Sequence, residues 1–82
     1  MVTVAYDPLF KKKVKGIRDE LIKTKVKKKI RKILNSPTIG KPMRFSRKGT
    51  REVYIAPYRL SYMYNENEDK IIFLDLYHKD EQ

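Results

Sequence analysis

Arginines set inside strand-like runs, and a histidine at the end of another, are the residues whose types and spacing could do chemistry. Arg59 stands between Tyr58 and Leu60, where a guanidinium is costly unless it is paired or reaches solvent. Its planar fork of donors suits a phosphate, which is the functional expectation for it. The alternative is an ion pair across a sheet with Glu52 or Asp75. His78, the only histidine, lies in the run Tyr77-His78-Lys79-Asp80. An imidazole changes charge close to neutral pH, so it can give or take a proton, although a lone histidine is commonly an ordinary surface residue. Asp75 and most of the six tyrosines read as structural, with Tyr54, Tyr62 and Tyr64 filling core or rim rather than stacking on bases. The chain has no cysteine, which excludes disulfides, thiolate metal sites and a cysteine nucleophile. One histidine cannot build a multi-histidine zinc site, and no metal or cofactor is expected.

A phosphate-bearing partner would also fit the charge. Twenty Lys+Arg oppose ten Asp+Glu, a formal net charge of +10 over 82 residues. The excess is unevenly placed: Lys11 to Lys32 carries ten Lys and two Arg against Asp19 and Glu20, and Lys41 to Arg59 carries six basic residues against Glu52. From Ser61 to Gln82 the sign reverses, with six acids against Lys70 and Lys79. Two basic blocks ahead of an acidic tail point to a polyanionic partner, nucleic acid being the commonest. The plainer reading is a solvated lysine-rich helix face. With 40% hydrophobic and 37% charged residues the chain is neither membrane protein nor disordered tail, and its length fits one domain spanning residues 1–82. The opening Met1-Val2-Thr3-Val4 stretch lacks the basic start of a signal peptide, so a cytoplasmic location is expected.

The elements that must position these residues follow from periodicity. Val2, Val4 and Tyr6 alternate as a short strand, and Asp7-Pro8 reads as a helix start. Phe10, Val14, Ile17 and Leu21 recur at helical spacing, and Leu21/Ile22, Val26, Ile30 and Ile33/Leu34 continue it to Asn35. Gly16, Asp19 and Thr24 are the places where so long a run could turn back as two antiparallel helices, and Asn35-Ser36-Pro37 ends the second. A basic loop follows, with Met43 and Phe45 as its anchors, and then strands over Arg51–Ala56, Tyr58–Tyr64 and Lys70–Tyr77. Pro57 and the polar run Asn65–Asp69 mark the turns between them. The order β-α-α-β-β-β implies an α+β fold, a helical hairpin packed on one face of a small, mostly antiparallel sheet. Alternation puts Arg51, Val53 and Ile55 on one face, and Glu52, Tyr54 and Ala56 on the other. Arg59, Ser61 and Met63 share a face, and the apolar third strand reads as central, buried on both faces.

In their order and spacing these segments resemble the RelE/ParE superfamily of small toxins from type II toxin–antitoxin systems, and its RelE-like branch in particular. The resemblance rests on Asp7-Pro8-Leu9-Phe10-Lys11, Asn35-Ser36-Pro37, Gly40-Lys41-Pro42-Met43-Arg44, Arg51-Glu52-Val53-Tyr54, Tyr58-Arg59-Leu60-Ser61-Tyr62 and the stretch from Ile71 to Lys79. It implies a ribosome-dependent endonuclease that cuts messenger RNA without metal, the 2′-hydroxyl attacking its own phosphodiester. The implied partners are an acidic RelB-like antitoxin, the ribosome and mRNA, with no membrane. Arg59 corresponds to the family arginine at the scissile phosphate and His78 to the general acid of YoeB-type members, with Arg51 and Lys79 completing the catalytic set. Arg44, Lys41, Arg47, Lys48, Lys27 and Lys28 are the residues expected to bind the RNA. The YoeB-type glutamate base falls at Lys41, which leaves Glu52 as the available carboxylate. The same resemblance admits a ParE-like toxin that poisons gyrase, or a non-catalytic RNA- or ribosome-binding domain.

Overall fold

A computed structural model describes residues 2–43 and 49–78. The chain runs β1 (Thr3–Tyr6), α1 (Pro8–Lys15), α2 (Glu20–Asn35), β2 (Lys41–Pro42), β3 (Thr50–Ile55), β4 (Tyr58–Asn65) and β5 (Lys70–His78). Asp7 caps α1, its carboxylate accepting from Leu9 N at 2.9 Å, and Pro8 occupies the first turn. The helix stops at Gly16, and Asp19 opens α2 by accepting from Leu21 N at 2.9 Å and Ile22 N at 3.4 Å. The turn between the helices is thus at two of the three expected places. Because α2 restarts at its own cap, Ile22, Val26 and Ile33 turn inward, and of the pair Leu21/Ile22 it is Leu21 that is left outside, 65% exposed. Ser36 closes α2 ahead of Pro37.

The five strands lie in the order β1-β5-β4-β3-β2. β1 runs parallel to β5, and every other pairing is antiparallel. The expected β-α-α-β-β-β order holds, with β2 added as a two-residue edge. β5 is an interior strand between β1 and β4, but the middle place is taken by β4, and Ile72 and Leu74 are only half-buried, so β5 is not buried on both faces. The core lies between the helices and one face of the sheet. Phe10, Ile17, Val26 and Ile33 meet Val53, Ile55, Leu60, Tyr62, Ile71, Phe73 and Leu76 there. Each such side chain contributes about 1.5–3 kcal/mol by leaving water. Phe73 sits under the first helix, its ring stacked at 5.4 Å from both Tyr6 and Phe10.

One irregularity decides what reaches the other face. Tyr62 pairs with Phe73 and Ser61 with Asp75, so Leu74 has no partner and β5 bulges there. Up to Phe73 the odd-numbered residues of β5 face the helices. Beyond the bulge the even-numbered ones do, so Leu76 and His78 point inward while Tyr77 pairs with Arg59 on the far face.

Candidate functional site

The sheet face away from the helices carries a small polar cluster. Arg59 on β4 donates through Nη1 to Glu52 Oε1 at 2.7 Å, and Tyr77 on β5 donates from its hydroxyl to Glu52 Oε2. Both carboxylate oxygens are therefore occupied. Glu52 is only 9% exposed, the one charged side chain among the described residues so deeply buried. Two donors offset its desolvation cost. The Arg59 guanidinium also lies 6.0 Å from the ring centre of Tyr54, its register partner on β3. Its Nε is buried without a protein partner. Hydrogen bonding to Glu52, more than the opposing effect of burial, pushes the Arg59 pKa still higher, so the guanidinium is a permanent cation. Of the two readings of Arg59, the cross-sheet pair with Glu52 is present. The Arg59 side chain as a whole is 37% exposed, so guanidinium donors not spent on Glu52 stay open to an anion.

A second set of contacts fixes the edge of this face. The Tyr62 hydroxyl accepts from Gly40 N at 2.9 Å and donates to Pro37 O at 2.7 Å. Arg51 donates from Nη1 to Thr38 O at 3.1 Å and Gly40 O at 2.8 Å. Together they clamp the chain after α2 and bring Lys41 into register with Glu52. Gly40 permits this approach: a Cβ there would fall 2.6 Å from the Tyr62 hydroxyl oxygen and 2.9 Å from Arg51 Cβ. Burial, as the larger effect, raises the Tyr62 pKa and keeps the phenol protonated.

The expected catalytic set is not brought together. Arg59 is on the far face, but Arg51 is on the helix side and spends its guanidinium on the 38–40 carbonyls. His78 is also on the helix side, edge-on to Tyr58 with ring centres 5.7 Å apart. The bulge at Leu74 puts Tyr77, rather than His78, beside Arg59. Lys79, Arg44, Arg47 and Lys48 lie outside the described residues, as does Phe45. Lys41 is exposed at the β2 edge, and Lys27 and Lys28 are exposed on α2. Tyr62 and Arg51 hold the 37–40 stretch, and Met43, half-buried, continues the ladder through its amide to Thr50 O at 2.9 Å. Of the three tyrosines taken as fillers, Tyr62 is core and Tyr64 bonds Asp69 at 3.1 Å, but Tyr54 is 51% exposed. Among the described residues no helix is long and apolar enough to cross a membrane, and no group of three potential metal ligands occurs.

Comparison with known proteins follows from this geometry. The toxin of the intact E. coli RelBE toxin–antitoxin complex is similar over 95% of this chain and 96% of its own, with a TM-score of 0.80 at 16% identity. The YoeB/ParE toxin from Agrobacterium tumefaciens is similar over 94% and 98%, with a TM-score of 0.83 at 14% identity. The archaeal RelE–RelB complex from Pyrococcus horikoshii gives 99% and 98%, a TM-score of 0.78 and 13% identity. These likenesses establish an α+β, RelE-like fold. No curated protein matches the sequence itself. Residues 4–82 match the ParE toxin family of type II toxin–antitoxin systems, parDE. The chain therefore belongs to that family, and it is a type II toxin of the RelE/ParE superfamily.

Proposed function

We propose that this toxin cuts messenger RNA on the ribosome and is held inactive by an acidic RelB-like antitoxin. The observation that carries the reading is Arg59, a permanent cation on the open sheet face, fixed by Glu52 and flanked by Tyr54. In attack of a 2′-hydroxyl on its own phosphodiester, the phosphorus gathers negative charge on its non-bridging oxygens. A preorganised guanidinium stabilises that charge without reorganising at the moment of reaction. Glu52 acts here as a positioning residue: with both oxygens already accepting, it holds the fork rather than taking a proton. His78, turned to the helix side, plays no part at this phosphate. The proton transfers are completed on the ribosome, which also positions the message. The lysine-rich helices supply affinity for ribosomal RNA through Lys27 and Lys28, and the charges of Lys41, Arg44, Arg47 and Lys48 add affinity for the message.

An antitoxin partner is supported by the family and by neighbours solved with RelB-type proteins. A protein-targeting toxin directed at gyrase is the second reading, favoured by the match to the ParE family and by the absence of His78 from the Arg59 face. Mapping message ends in a translation extract, beside a gyrase supercoiling assay, separates the two. Codon-phased cuts that vanish with Arg59→Ala support the nuclease. Intact message with inhibited gyrase supports the second reading.

A further inference from the structure

On the side of the molecule where β3 runs past the short β2, the edge of β3 faces α2 across an open groove. Two adjoining hollows of 540 and 320 Å³ share Lys29, Lys32 and Tyr54 in their walls, and Lys25 and Lys28 extend the second. Lys25, Lys28/Lys29 and Lys32 recur at helical spacing and form one stripe about 10 Å long at 1.5 Å per residue. Two or three phosphates fit that length, since one strand of a duplex advances about 3.4 Å per phosphate. Tyr54 stands where the two hollows meet, at the β3 edge between the groove and the open face. It lines both hollows, and its ring centre lies 6.0 Å from the Arg59 guanidinium on the open face. Half-exposed, it has accessible ring surface.

We propose that this groove is a binding path for single-stranded RNA, with the α2 lysines holding phosphates and Tyr54 stacking a base beside Arg59. The inference rests on the RNA reading above and extends it from one phosphate to a strand. The ring distinguishes the occupant. A base stacks on an aromatic face whatever its sequence, and the combination of a basic groove with such a platform is how single strands are held without sequence preference. An acidic peptide would match the lysines equally, but its carboxylates are repelled by the negative face of the ring. Arg59 against Tyr54 adds to the platform, because the cation orients the ring and attracts the phosphate next to the stacked base.

The test uses the whole protein and a fluorescent RNA hexamer methylated at every 2′-oxygen, which binds but cannot be cut by 2′-hydroxyl attack. Anisotropy titrations compare Tyr54→Ala, Tyr54→Phe, Lys29→Gln with Lys32→Gln, and a charge-matched control, Lys11→Gln with Lys12→Gln on α1. The expectation is a loss of about fivefold to a hundredfold for Tyr54→Ala, the range for one lost base–aromatic stack, with Tyr54→Phe close to the parent. The α2 pair should lower affinity and flatten its salt dependence more than the α1 pair. Equal affinity for Tyr54→Ala and the parent, with an unchanged melting temperature, overturns the proposal. So does a hexaglutamate peptide that binds with the same dependence on Tyr54 and Lys29. Message cleavage that persists in a translation extract while Tyr54 is indifferent removes the groove and leaves the nuclease. Tyr54-dependent RNA binding without any cleavage leaves the groove and removes the nuclease.

Discussion

A guanidinium that is already paired must do its work with the donors left over, and Arg59, with Nη1 on Glu52, keeps 37% of its side chain exposed. This makes two outcomes separable at one residue. If Arg59 stabilises the phosphorane, Arg59→Ala lowers the single-turnover cleavage rate by about 100- to 1000-fold while ribosome affinity changes far less. Arg59→Lys recovers only part of the rate, because a point charge cannot bond Glu52 and phosphate through one planar fork. The same substitution also strands Glu52 in its 9% exposed site with Tyr77 as its remaining donor among the contacts described above, so Arg59→Ala melts below the parent. Pairing it with Glu52→Gln should restore part of the lost melting temperature, since the two changes act on one interaction. Additive losses in that cycle would show that the pair contributes nothing to the fold. The pairing was legible in the sequence, since alternation put Glu52 within reach of Arg59. Tyr77 was not, because its side depends on a bulge that no residue type announces. The side taken by His78 was not legible either, for the same reason.

Elements set these positions, and the decisive one is the stretch after α2, where a glycine, a tyrosine and an arginine interlock. Gly40→Ala drives a methyl into the Tyr62 ring and Arg51 Cβ, both held by their own packing. A destabilisation of about 1–3 kcal/mol is expected by urea titration, the usual range for overpacking. A fully stable Gly40→Ala protein would mean that the clamp is loose. Tyr62→Phe keeps the ring and loses the hydroxyl that serves Gly40 N and Pro37 O, at a cost of about 1–3 kcal/mol for the groups left unpaired. It should also change the alkaline limb of stability. The folded-state pKa of Tyr62 is raised above the ordinary 10.0, so its contribution is complete below pH 10 and is lost as pH rises through the raised value. Tyr62→Phe therefore loses less stability than the parent above pH 10. Some alkaline sensitivity remains through Tyr64, whose bond to Asp69 raises it likewise. Helix ends, turns and the three late strands could be read from caps, prolines and alternation. The phase of α2 was legible too, except for the choice between Leu21 and Ile22, which the Asp19 cap settles for Ile22. The anchors of the 37–40 stretch were missed because a buried tyrosine hydroxyl acting at a distance of 25 residues leaves no local pattern.

Across the whole molecule the charge divides by element, the helical hairpin holding the densest positive block and the acids gathering toward the C-terminal third. Ribosome affinity that rests on phosphate contacts falls linearly in log–log terms with salt, and Lys27→Glu with Lys28→Glu should lower both the affinity and that slope. A flat salt profile would take the hairpin out of the interface. The same field draws in an acidic partner. A net charge of +10 on so small a domain attracts an acidic, partly disordered chain that folds on contact, with electrostatics setting the rate of encounter more than the final affinity. An acidic partner seated on the hairpin lysines would keep ribosomal RNA off them, so inhibition would need no change of shape. The consequence is measurable in cells. Expressed without its partner, the folded protein should arrest growth, and the arrest should be relieved in parallel by Arg59→Ala and by co-expression of the acidic partner. Relief by the partner alone, with Arg59→Ala as toxic as the parent at equal abundance, would place toxicity on a surface other than the Arg59 face. Harmless accumulation of folded parent protein would remove the nuclease and gyrase readings together, since both require an active toxin.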